Sequence, residues 1–261
     1  MTLKAVFFDL GDTLWHFPNM PPPEIIRGET MRRIKRLLGG WGYELTDERP
    51  FIGRDIRFAI EEETSRAFHG DCVDPGYPGI CQRVAARHQM DLSEEQAEAL
   101  WGTWNLGGAF LGRMLYPDAL PTLEWLRDRG FRLAAVTNRG YSGRLFHEEM
   151  RDLGLSELFE HTVISCDVGY MKPHPQIFQN ALELMDVEAQ EVAMVGDSLR
   201  ADVEGARTLG MTAIWRRPPP KGEPVEATTD EPEPGPLAPD YVIDNIGDIR
   251  GLAPFLVAGG K

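Results

Sequence analysis

Lys4–Leu14 reads K-A-V-F-F-D-L-G-D-T-L, and the rest of the chain can be read outward from it. Lys4–Asp9 is a short, unbroken apolar run that stops at a carboxylate. A strand covered on both faces shows such a run, because apolar–polar alternation is expected only where one face meets water. Similar runs recur at Arg132–Thr137, Thr162–Ser165, Val192–Val195, Thr212–Trp215 and Tyr241–Asp244. Helical spacing separates them. Leu120, Leu123 and Leu126 share one face of Leu120–Arg129, and Gly143–Leu153 and Gln176–Met185 repeat the pattern. Gly130, Gly154 and Gly210 stand where a C-cap glycine belongs. Strand–helix alternation of this kind predicts an α/β fold, a Rossmann-like doubly wound parallel sheet.

One stretch breaks the alternation. From Phe17 to Ala109 only helical patterns occur, at Ile25–Leu38, Ile56–Phe68, Ile80–Met90 and Ser93–Trp104. Ser93 with Gln96 has the spacing of a capping box. Pro18 and Pro21–Pro23 punctuate its start, and Gly107, Gly108 and Gly112 its end. The expected organisation is a discontinuous core, 1–16 with 110–261, split by an all-helical domain over 17–109. Within the core, residues 217–240 are rich in proline and acids and poor in large apolar side chains, which predicts a long surface loop before the last strand.

Composition narrows the function. The 261 residues carry a net charge of -14, and 42% are hydrophobic, enough for a buried core. The acid excess argues against nucleic-acid binding, which leaves a basic footprint. It does not bar a small anionic substrate, because local charge can oppose net charge. The three cysteines, Cys72, Cys81 and Cys166, include no C-x-x-C pair, so neither a disulfide framework nor a thiolate zinc site is expected. With no targeting signal and no apolar run long enough to span a bilayer, a cytoplasmic protein free of the membrane is expected. The oligomeric state has no signature in the sequence.

In an open parallel sheet, ligands gather at the carboxyl ends of the strands. The first strand ends in Asp9 and the second in Thr137-Asn138. Lys172 follows the third, in Y-M-K-P-H-P-Q-I-F. The fourth runs into Gly196-Asp197-Ser198, with Asp202 close behind. Carboxylates, hydroxyl, amide and ammonium on one edge suit a hard divalent cation and a phosphate. Mg²⁺ takes oxygen ligands, here from Asp9 and Asp197, while Thr137, Asn138 and Lys172 can hold phosphate oxygens. An Asp beside such a cation can attack phosphorus and form an aspartyl-phosphate.

F-F-D-L-G-D-T-L, V-T-N, K-P-H-P-Q-I-F and V-G-D-S-L-R-A-D resemble the four ordered motifs of the haloacid dehalogenase-like hydrolase superfamily, in its phosphatase type with a helical cap. The resemblance covers nearly the whole core, and four motifs in order are far more specific than any one alone. It implies Asp9 as nucleophile and the Gly11 carbonyl, Asp9, Asp197 and Asp202 as Mg²⁺ ligands. It implies Thr137, Asn138 and Lys172 as phosphoryl-binding groups, with Lys172 also neutralising Asp9. Thr13 and Ser198 would support their loops. The substrate would be a small phosphorylated metabolite, and the cap would close over it.

The sequence departs from the family pattern at one position. Phosphatases of this family carry D-x-D-G-T, whose second Asp serves as general acid and base. Gly11 stands there, and the acid is Asp12, whose side chain is re-aimed by the one-residue shift. Three readings follow. Asp12 or water substitutes, or a cap residue supplies the proton, or the protein is a weakly active or non-catalytic phosphate-ligand-binding relative. Metal-independent 2-haloacid dehalogenation is a further alternative, against which the acid at Asp197 counts. Trp15 and His16 either line the entrance or simply pack. His174 reads as structural, and Arg27, Arg32, Arg33, Lys35 and Arg36 as a solvated helix face.

Overall fold

The computed structural model describes residues 2–45, 51–218 and 238–256. It divides into two compact units, Met1–His16 with Met114–Lys261, and Phe17–Arg113. The second unit therefore runs past Ala109, because Gly107–Arg113 is closed on itself by the Leu111 N–H to Gly107 carbonyl and Arg113 N–H to Gly108 carbonyl bonds. Most of the proline-rich stretch expected as a surface loop, residues 219–237, lies outside the described residues.

The first unit holds β1 (Ala5–Phe8), β2 (Trp15–His16), β3 (Met114–Leu115), β4 (Arg132–Thr137), β5 (His161–Ile164), β6 (Val192–Gly196), β7 (Thr212–Arg216) and β8 (Tyr241–Ile243). Six of them form a parallel sheet in the order β5-β4-β1-β6-β7-β8. Counted along the chain, that order is 3-2-1-4-5-6, which places a topological switch between β1 and β6. All four residues of β1 are buried, as its unbroken apolar run predicts. In the register, Phe7 lies between Ala134 on β4 and Met194 on β6.

β2 and β3 form an antiparallel ribbon of two residues each, Trp15 opposite Leu115 and His16 opposite Met114. Strands this short carry no readable period, and the sequence gives no sign of the pairing.

In the second unit, α1 (Pro23–Gly40), α2 (Ile52–His69), α3 (Tyr77–Arg87) and α4 (Glu94–Gly102) enclose an apolar core of their own. Ile34 and Leu38, Ile52 and Ile56, and Ile80 and Val84 face it at helical spacing. α4 opens with the expected capping box: Ser93 Oγ accepts the Gln96 N–H at 3.2 Å, and Gln96 Oε1 accepts the Ser93 N–H at 3.0 Å. On α1, Glu29 pairs with both Arg32 and Arg33.

The sheet is flanked by α5 (Ala119–Asp128), α6 (Arg144–Asp152), α7 (Ser165–Val168), α8 (Pro175–Met185), α9 (Gly205–Thr208) and α10 (Ala253–Leu256). Ile177, Phe178, Ala181 and Met185 of α8 pack against Phe7, Val136 and Met194. His174 has the structural role read for it: its Nδ1 accepts the Gln176 N–H at 3.1 Å and caps α8, and its ring stacks on Tyr170. Among the described residues no helix is long and apolar enough to cross a membrane.

Candidate active site

The segment between α7 and α8 brings Lys172 beneath the ends of β1, β4 and β6. The side chain is 1% exposed, and all three of its ammonium donors are used. Nζ donates to Asp9 Oδ1 at 2.6 Å, to Asp202 Oδ1 at 2.6 Å and to the Val136 carbonyl at 2.7 Å. Burial alone would lower its pKa. The charges of Asp202 and Asp9 outweigh burial and raise it, so Lys172 stays an ammonium.

Asp202 sits in a six-residue π-helix, Leu199–Glu204, directly after the β6 loop. Two observations explain its placement. Ser198 N–H donates to Asp202 Oδ2 at 3.0 Å, while Ser198 Oγ accepts the Ala201 N–H at 3.1 Å and caps the turn. Gly196 leaves the room: a Cβ there would lie 2.2 Å from the Asp202 carboxyl carbon. Asp202 is therefore a buried site acid rather than a solvated acid in a first helical turn. Burial raises its pKa to about 6 despite Lys172.

Asp197 closes the group. Burial first, then the charges of Asp9, Asp202 and Asp12, raise its pKa to about 7. Thr13 Oγ1 reaches its Oδ1 at 3.5 Å. Carboxylate oxygens of Asp9, Asp197 and Asp202 all lie within 4.8 Å of one another. Three carboxylates face one ammonium, which leaves two negative charges uncompensated. Burial first, and the neighbouring carboxylate charges after it, raise the pKa values of Asp197 and Asp202. An all-oxygen donor set with this charge fits one hard divalent cation. Asp9 Oδ2 accepts no hydrogen bond among the described residues, so it is open to a cation or to phosphorus.

The remaining site residues fall into two groups. Thr137 ends β4 and is buried, one residue after the Val136 carbonyl that Lys172 reaches. Asn138 turns its side-chain amide to the main chain of Lys172. Its Oδ1 accepts the Lys172 N–H at 2.7 Å, and its Nδ2 donates to the Lys172 carbonyl at 2.9 Å. The amide thus holds the Lys172 main chain with its oxygen and one of its two N–H groups, and the phosphoryl-binding role implied by the resemblance would fall to the second. Gly11 has room for a side chain: a Cβ would meet only Trp15 Nε1, at 3.9 Å. Asp12 is exposed, with a left-handed φ of 49°.

A family model for haloacid dehalogenase-like hydrolases matches residues 3–210. The chain belongs to that family. Among relatives of this haloacid dehalogenase-like hydrolase, the glyceraldehyde 3-phosphate phosphatase of Methanopyrus kandleri is 30% identical over 242 residues, 93% of each chain. The ribulose-1,5-bisphosphate 5-phosphatase of Halopiger xanaduensis is 28% identical over 253 residues, 95% of this chain and 98% of that one. A 2-haloacid dehalogenase from Pseudomonas syringae pv. Tomato DC3000 shares the fold, with a TM-score of 0.61 at 23% identity over 96% of this chain and 97% of that one.

Sequence reasoning misses four residues that shape the site of this hydrolase. The Val136 carbonyl takes one Lys172 proton. Gly196 admits Asp202, and a glycine closing a strand run is the signal that could have marked it. Trp215 Nε1 donates to the Asp197 carbonyl at 2.8 Å. Arg216 Nη1 donates to the Asp12 carbonyl at 2.6 Å.

Proposed function

We propose that this haloacid dehalogenase-like hydrolase cleaves a small phosphate monoester through an aspartyl-phosphate on Asp9, with Mg²⁺ held by Asp9, Asp197, Asp202 and the Gly11 carbonyl. The observation that carries this reading is the Lys172 arrangement. One Asp9 oxygen is pinned to a buried ammonium, while the other is unpaired beside two further carboxylates. A route through an aspartyl-phosphate needs a carboxylate held in place with one oxygen free to attack.

In the first half-reaction Asp9 Oδ2 attacks phosphorus, the ester P–O bond breaks, and the alcohol leaves with a proton. In the second, water attacks the phosphoryl group, the Asp9–phosphorus bond breaks, and inorganic phosphate departs. Lys172 fixes Asp9 and offsets charge that builds on the phosphoryl oxygens. Thr137 contributes a donor at the end of β4. When bound, Mg²⁺ supplies the positive charge that lets a carboxylate approach an anionic phosphoryl group. Asp12, or water beside it, carries the proton that an acid at position 11 would otherwise supply. Its charge is felt at Asp197, and its exposure suits exchange with solvent.

The relatives named for glyceraldehyde 3-phosphate and ribulose-1,5-bisphosphate support a small phosphorylated metabolite as substrate. The experiment is a phosphate-release screen over a panel of phosphate monoesters. Asp9→Asn and EDTA should each abolish release. Turnover that survives either change overturns the reading. Background turnover with Mg²⁺-dependent phosphate binding would instead favour a ligand-binding relative, the reading that Gly11 motivates. Halide release from a 2-haloacid without metal would favour a dehalogenase.

A further inference from the structure

We infer that the end of β7 is a clamp on the two acidic loops, with Trp215 and Arg216 as positioning residues for the cation-binding oxygens. The inference rests on the phosphatase reading above.

Successive side chains on a strand leave on opposite faces of the sheet. Trp215 and Arg216 are successive, and each turns back to a main-chain carbonyl at the active edge. Trp215 Nε1 donates to the carbonyl of Asp197, after β6, at 2.8 Å. Arg216 Nη1 donates to the carbonyl of Asp12, after β1, at 2.6 Å. One strand end therefore ties down both loops that bring carboxylates to the cluster. Asp197 O and Asp12 O belong to residues separated by the whole of the chain between them, and β7 gives them a common reference.

Arg216 is the stronger half of the case. It is 4% exposed, yet no carboxylate pairs with it among the described residues. Its guanidinium lies 3.9 Å from the Tyr116 ring centroid, and Tyr116 stacks on His16 of the β2 ribbon. Nε is buried with no hydrogen-bond partner among the described residues. A buried, unpaired guanidinium is costly, and simple packing would be served better by an apolar side chain. What the charge holds is the carbonyl of Asp12, whose backbone lies in the left-handed region that aspartate enters more readily than most residues but less freely than glycine. The planar peptide that joins Gly11 to Asp12 takes its tilt from that backbone. The Arg216 bond anchors the next peptide along, Asp12–Thr13, and so narrows the swing of the Gly11 carbonyl, which the proposed mechanism turns towards the cation.

The test is binding of Mg²⁺ alone by titration calorimetry, beside thermal unfolding and p-nitrophenyl phosphate turnover. Trp215→Phe keeps the ring and removes the donor. Arg216→Met keeps the stem and removes the charge. Each should weaken Mg²⁺ about three- to tenfold, the worth of one hydrogen bond. Half-saturating Mg²⁺ in turnover should rise in step, while the ester KM at saturating Mg²⁺ stays within twofold. Arg216→Lys should recover part of the loss. Arg144→Ala, which breaks an exposed pair with Glu148 on α6, should change nothing. Folded Trp215→Phe and Arg216→Met with wild-type Mg²⁺ affinity would overturn the clamp. If Arg216→Met does not fold, Trp215→Phe decides. A wild-type chain that neither binds Mg²⁺ nor releases phosphate would overturn the phosphatase reading itself, and the clamp with it.

Discussion

Asn138 grips Lys172 by the main chain on both sides of its Cα, accepting its N–H at 2.7 Å and donating to its carbonyl at 2.9 Å. The side-chain amide behaves like a short piece of neighbouring strand. It sets where the Lys172 backbone lies, and hence where Nζ meets Asp9 and Asp202. Asn138→Ala should leave two main-chain groups unpaired, at about 1–3 kcal/mol each where water cannot replace the amide. The expected outcome is a melting point lower by several degrees and a kcat reduced at least about tenfold, with Mg²⁺ affinity changed less. Calorimetric melting and steady-state phosphate release measure these together.

Gly11→Asp should be accepted by the fold. The position has no left-handed backbone, and a Cβ would meet only an indole nitrogen at ordinary contact distance. A well-placed general acid is worth about 10²–10⁴-fold, so restoring one should raise kcat by about tenfold or more. Phosphate release at saturating Mg²⁺ is the measurement. An unchanged rate with an intact melting curve would mean that proton transfer does not limit turnover.

Gly196→Ala should be far more damaging than a single methyl suggests. The added carbon would fall 2.2 Å from the Asp202 carboxyl carbon, and that carboxylate is held by Lys172 and by the Ser198 N–H. Either the strand end or the acid must move. Overpacking of this kind costs about 1–3 kcal/mol, and here the displaced group is an acid of the cluster. Loss of Mg²⁺ binding together with a lower melting point is expected.

The raised pKa of Asp197, about 7, gives the site a pH dependence with a definite sign. The folded value lies above the unfolded one, so the native state holds an extra proton between them. That proton stabilises the metal-free fold at low pH, and the contribution is lost as pH rises through about 7. Protons and Mg²⁺ compete for the same carboxylate. Between pH 8 and pH 6 the Mg²⁺ affinity should fall about tenfold, and the rise in melting point on adding Mg²⁺ should shrink accordingly. Titrations at the two pH values test both parts.

Most of the fold was legible because its signals are local. Each buried strand shows as an apolar run, and the observed β4 spans the expected Arg132–Thr137 without change. Asp9, Lys172, Asp197 and Asp202 were legible because each follows a strand, and parallel topology must bring strand ends together. What remained hidden depends on the direction of a side chain or on distant pairing. Nothing in V-T-N tells that the Asn138 amide holds the Lys172 main chain. Nothing around Trp215-Arg216 announces that both reach back to carbonyls on other strands. The π-helix at Leu199–Glu204, which carries Asp202 close to Gly196, was equally silent.

The two-residue ribbon has a consequence for how the gene can change. His16 lies opposite Met114, so the chain leaves the sheet unit and returns to it at paired positions. Closing a loop grows dearer only slowly with length, by about 0.6 kcal/mol per doubling even for a flexible one. Whatever lies between His16 and Met114 can therefore be lengthened, shortened or exchanged with little effect on the register of β1 against β4. The ribbon works as a splice point. The intervening segment can be exchanged while Asp9, Lys172 and Asp197 keep their positions.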